Sequence, residues 1–104
     1  MKVNILGTEY TIWQDDSLDD HGLDGCCKKY DKEISIRSVE KMLEADDKLA
    51  AKKNRHNEVM RHEIVHAIFN ESGLDDFANN EQLVDWIAMQ FPKMLQAFKD
   101  VGCL

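Results

Sequence analysis

Between about Val39 and Ser72 apolar residues recur at helical spacing, among them Met60, Ile64, Ala67 and Ile68, with only Asp46-Asp47 suggesting a break. A pattern of that length commits the middle of the chain to a short helix followed by a long one. The segment before it keeps a different period. Lys2–Leu6 and Glu9–Trp13 alternate apolar and polar residues on either side of Gly7-Thr8, which reads as a β-hairpin, and Glu33–Arg37 alternates again as a third strand. Gln14–Tyr30 is rich in Asp, Gly, Ser and Lys and reads as a surface loop that could cover a cleft. Gly73 suits a helix C-terminus. Asn79 or Asn80 can cap a further helix through Leu83, Val84, Ile87 and Phe91, which Pro92 must kink or follow with a fourth helix. The expected fold is α+β: a small sheet of about three strands on a long helix and a C-terminal helix, all in a single domain over residues 1–104.

The long helix carries His62-Glu63-Ile64-Val65-His66. Histidines at i and i+4 project from one helical face, where two imidazoles can meet one tetrahedral zinc ion. Glu63, one residue after the first histidine, is rotated off the ligand direction and can reach a water held by the metal, taking its proton as general base and delivering it as general acid. The neighbours Ile64, Val65, Ala67, Ile68 and Phe69 make this the most apolar part of the helix, a poor place for unpartnered imidazoles. A catalytic zinc site needs a third protein ligand. Glu81 and Asp85, one turn apart on the next helix, supply it best: Glu81 on the metal, Asp85 accepting the second ring N–H of His62 or His66. Asp75, Asp76, Glu71, His21 and His56 are the competing third ligands.

With His-Glu-x-x-His on one helix and Glu-x-x-x-Asp on the next, the chain resembles the gluzincin zinc peptidases. Closest in scale are the minimal gluzincins and the peptidase domain of the ImmA/IrrE family of phages, mobile elements and bacteria. Glu81-Gln82-Leu83-Val84-Asp85-Trp86-Ile87-Ala88 followed by Pro92 is similar to that family's third-ligand helix, with Val84 and Ile87 departing from it but keeping an apolar face. The resemblance covers about residues 33 to 92. It implies His62, His66 and Glu81 as zinc ligands, Glu63 as general base and acid, Asp85 behind the ligands, and Ile34-Ser35-Ile36 as an edge strand that pairs with an extended substrate. The oxyanion-stabilising group of such peptidases is not identified by spacing; Tyr30, His21 and His56 are candidates.

The net charge of −7 disfavours nucleic acid, and Lys52-Lys53-Asn54-Arg55 reads as a solvated helix face. No apolar run approaches the roughly 20 residues that span a bilayer, and the N-terminus lacks a secretory pattern, so a cytoplasmic location is expected. Cys26, Cys27 and Cys103 are expected as reduced thiols, with Cys26-Cys27 as conceivable inhibitory ligands of a latent site. Trp13, Trp86, Phe69, Phe91 and the methionines are expected in the core. The first functional expectation is zinc-dependent hydrolysis of a peptide or protein substrate. Its rivals are a non-catalytic module that keeps zinc as a structural staple and binds a regulatory protein partner, and a metal-free α+β domain with a coincidental motif.

Overall fold

The computed structural model describes residues 1–104. Four strands form one mixed sheet: β1 (Lys2–Ile5), β2 (Thr8–Gln14), β3 (Gly25–Lys28) and β4 (Glu33–Ile36), in the spatial order β1-β2-β4-β3. The hairpin β1-β2 is antiparallel and closes at Leu6-Gly7, both at positive φ, so Thr8 already belongs to the strand opposite Ile5. β4 lies parallel to β2 and antiparallel to β3.

The fold is α+β as expected, and the sheet of about three strands proves to have four, because the polar segment 14–30 contains a 3-10 helix (Asp16–His21) and then β3. One expectation is corrected here. Ile34-Ser35-Ile36 is not an edge: β4 is interior, with Ile34 and Ser35 paired to Ile12 and Trp13 on one side and to Cys27 and Cys26 on the other. Its near-continuous burial fits a strand enclosed on both sides.

A 3-10 turn at Val39–Lys41 precedes the long helix α1 (Leu49–Glu71), and the short α2 (Asp75–Ala78) and long α3 (Glu81–Asp100) follow. Gly73, at φ +71°, turns the chain out of α1. The Asn80 side chain accepts a hydrogen bond from the Leu83 N–H and caps α3. Pro92 lies inside α3, and no fourth helix begins there.

The core is formed by Ile5, Tyr10, Ile12, Ile34 and Ile36 of the sheet against Val59 and Ala67 of α1, with Met42 from the connecting loop. It is not the expected aromatic set. Trp13, Trp86, Phe91 and Met89 are exposed, because the inward register of β2 belongs to Tyr10 and Ile12 and the inward face of α3 to Val84 and Ala88. The basic run is a solvated face only in part: Lys53 and Asn54 are exposed. Lys52 is buried, its ammonium donating to the carbonyls of Glu40 and Ala45, and Arg55 holds Asp24. No helix is long and apolar enough to cross a membrane.

Candidate metal centre

The residues of the two sequence motifs meet where α1 and α3 pack. His62 and His66 sit one turn apart, and their Nε2 atoms approach to 3.0 Å. Glu81, the first residue of α3 after the Asn80 cap, brings one carboxylate oxygen to 2.9 Å from His66 Nε2 and the other to 3.1 Å from His62 Nε2. Asp85, one turn further on, stands 2.7 Å from His62 Nδ1. His66 Nδ1 is 2.6 Å from the carbonyl of Ala78 at the end of α2.

These outer partners decide what the inner atoms can do. A carboxylate and a backbone carbonyl only accept, so each Nδ1 carries the donated proton, and a neutral ring then turns a lone pair inward at Nε2. Two imidazole lone pairs and two carboxylate oxygens thus converge with no donor among them. Such a set is held together by a positive centre, either an added proton or a cation. Tetrahedral zinc with Zn–N and Zn–O distances near 2.1 Å places its ligand atoms about 3.3 to 3.5 Å apart. The observed 2.9–3.1 Å is slightly tighter, and the N, N, O donor set is one that zinc accepts, so His62, His66 and Glu81 could hold such an ion.

Glu63 borders the same cluster, its carboxylate within 4.8 Å of ring nitrogens of both His62 and His66, with Oε1 3.8 Å from His62 Nε2, and only 5% of the residue is exposed. Burial, then the negative charges of Glu81 and Asp85, push its carboxyl up to about 7. Gly25 of β3 makes room for it: a Cβ there would lie 2.8 Å from Val59 Cγ1 and 3.0 Å from Glu63 Cγ. The close packing of β3 on α1 therefore requires glycine.

His62 and Glu63 stand between two lobes of a cleft. One, of about 200 Å³, runs toward Arg55 and Glu58; the other, of about 440 Å³, is walled by Cys26, Cys27 and Lys29 on one side and Asn79 and Glu81 on the other. The competing ligands lie elsewhere. Glu71 accepts hydrogen bonds from Thr8, Tyr10 and Lys32, Asp75 pairs with Lys29, and neither Asp76, His21 nor His56 lines the cleft. Tyr30, an oxyanion candidate, is 87% exposed and also outside it. All three cysteines are free thiols, and the groups close enough to share an ion contain none of them. Burial pushes the Cys27 thiol up to about 12, far from a thiolate at neutral pH.

Sequence reasoning missed three contributors: the Ala78 carbonyl, Gly25 and the β3 edge. A backbone carbonyl has no side-chain signature, and Gly25 reads locally as loop; the pair Cys26-Cys27 was the only apolar signal for β3. No protein-family model matches the chain, and no significant match is found among the curated proteins or the solved structures.

Proposed function

We propose that this protein is a zinc-dependent peptidase of the gluzincin type, with His62, His66 and Glu81 as ligands, Glu63 as general base and acid, and Asp85 orienting His62. The observation that carries the reading is the inward convergence of two histidine Nε2 atoms and the Glu81 carboxylate within 2.9–3.1 Å, each ring fixed from behind by a pure acceptor. When bound, zinc would acidify a water molecule and polarise a peptide carbonyl. Glu63 would take a proton from the attacking water and return it to the departing amine nitrogen, roles that suit a buried carboxylate 3.8 Å from His62 Nε2. An extended substrate would cross from one lobe of the cleft to the other past His62 and Glu63. Strand addition would use β3, the free edge bordering the cleft, in place of the interior β4.

The test is metal content by elemental analysis of native protein purified without a histidine tag, beside His62→Ala and Glu81→Ala, followed by cleavage of an unstructured peptide library. One zinc per chain, lost or sharply weakened in both variants, with cleavage abolished in a Glu63→Gln protein that keeps its metal, is the expected result. No metal after zinc is supplied, or equal cleavage by Glu63→Gln, would overturn the proposal. One observation favours a second reading, a zinc-stapled interaction module: His21, His56 and Tyr30 all lie outside the cleft walls. Stoichiometric zinc with no cleavage of any library member would select it.

A further inference from the structure

The second half of α3 is only partly covered within the chain: Met94 and Leu95 are half-buried, and Phe91 borders α1. Buried residues in that helix stop at Ala88; beyond it Phe91 is 44% exposed, Phe98 40% and Val101, at the helix end, 77%. These are not scattered residues. Val84, Ile87, Phe91, Met94, Phe98 and Val101 are spaced alternately three and four apart, the a and d positions of consecutive heptads. The first two are occupied within the molecule, Val84 being buried and Ile87 half-buried; of the rest Met94 is half-buried, and Phe91, Phe98 and Val101 are exposed. Where the cover ends, Ile64, Val65 and Ile68 of α1 with Ala88 and Phe91 of α3 form a groove walled almost entirely by carbon.

Charge narrows what can occupy this face. On a chain of net charge −7, residues 86–99 are the longest stretch without a carboxylate, 14 residues whose only charges are Lys93 and Lys99. Both lysines fall at b and c positions, away from the seam, while the flanking e and g positions are Leu95, Gln90 and Ala97. A cationic partner would be drawn to the acidic faces and not to this one. A second copy presenting the same face meets no opposed carboxylates and no like charges in the seam.

We infer that two copies of this chain pair through the free halves of α3, antiparallel about a two-fold axis near Gln96. Phe91 of one copy then meets the partner's Val101 and Met94 meets the partner's Phe98, the a-to-d layering of an antiparallel helix pair, and each helix end arrives beside the partner's groove. This arrangement also keeps the two Glu81 and Asp85 ends apart. The surface still exposed at Phe91, Phe98 and Val101 is roughly 300 Å² per copy, so with Met94 and the groove the pair buries about 700 Å² in all, the size of a weak, reversible dimer.

Sedimentation equilibrium of the full chain from about 1 to about 200 μM tests this. The average mass should rise from 12.0 kDa toward twice that value across the range, and association should strengthen with salt, because added ions screen the repulsion between two negative chains but leave the seam intact. Phe98→Glu and Val101→Lys, both at exposed positions and checked for unchanged helix content by circular dichroism, should each weaken association at least about tenfold. Trp86→Glu, on the same helix but off the seam, should associate as the native chain does. A mass that stays at 12.0 kDa throughout, association weakened by salt, or native-like association of both seam variants would overturn the inference.

Discussion

Glu71 shows how one side chain can fasten a small fold. It ends α1, and its carboxylate accepts from Thr8 Oγ1 at 2.9 Å, from the Tyr10 hydroxyl at 2.6 Å and from Lys32 Nζ at 2.7 Å, tying the end of the helix to β2 and to the loop before β4. Those donors, Lys32 first, hold its carboxyl down to about 2. The unfolded chain titrates this group near pH 4.5, so the folded state gains from the ionised form at every pH above that value and loses the gain as pH falls toward 2. Urea midpoints at neutral pH and at a series of acid values should show stability falling through this window, and Glu71→Gln should flatten that part of the profile while lowering the plateau. Tyr10 is the counterpart in the core: its ring is fully buried and its hydroxyl is satisfied only by Glu71, so burial and that carboxylate raise its pKa beyond any working pH. Lys52 follows the same rule of satisfaction. Its ammonium is buried and is accepted by two backbone carbonyls, a role that neighbouring Lys53 and Arg55 in the sequence give no sign of.

At the scale of elements, the continuity of α3 through Pro92 needs a physical account. Proline has no N–H to give the carbonyl four residues earlier, so the Ala88 carbonyl is left without its helical donor in a place where Ala88 is almost fully buried. Arg61 of α1 fills the vacancy, its Nε lying 2.6 Å from that oxygen. The defect in one helix thus becomes a cross-link to the other, in the same packing region that brings Glu81 to His62 and His66. Arg61→Ala should cost about 1 to 3 kcal/mol, the cost of a buried unsatisfied carbonyl, and markedly less in a Pro92→Ala background that restores the helical N–H. A double-mutant cycle by urea unfolding measures the difference; equal costs in both backgrounds would remove Pro92 from the explanation. The sheet makes a related point. The alternation in Glu33–Ile36 identified a strand, but whether that strand was an edge depended on where the segment around Cys26-Cys27 went, and it went outside β4.

For the molecule as a whole, the core is small: 16 of 104 residues are buried, and 12 of those are hydrophobic. A domain of this size has little stability to spare, so an ion that joins α1 to α3 would contribute to folding directly. Free zinc at about 100 times its dissociation constant stabilises a binding-competent fold by about 2.7 kcal/mol, which for a chain of this length raises Tm by roughly 10 to 20 °C. Thermal unfolding of native protein with and without zinc should show that shift, His62→Ala should show none, and a chelator should reverse it. An unchanged native Tm at saturating zinc would separate the histidine pair from any metal role.

Local rules sufficed wherever the determining partner was near in sequence. The hairpin at Gly7, the strand at Glu33–Ile36, the long helix over the His-Glu-x-x-His run, its end at Gly73 and the Asn80 cap all follow from periodicity and capping chemistry, and together they define the α+β class. The pairing of Asp85 with one of the two motif histidines was legible too, because helical spacing places Glu81 and Asp85 on one face. Only the tertiary structure decided which histidine Asp85 would meet, what would orient the other, which strand would be the edge, and which apolar side chains would be covered. Each of those depends on how far-separated segments pack. Periodicity marks Val84 and Phe98 alike as apolar seam, but burial is settled by what packs across them: Val84 is fully buried and Phe98 is left 40% exposed.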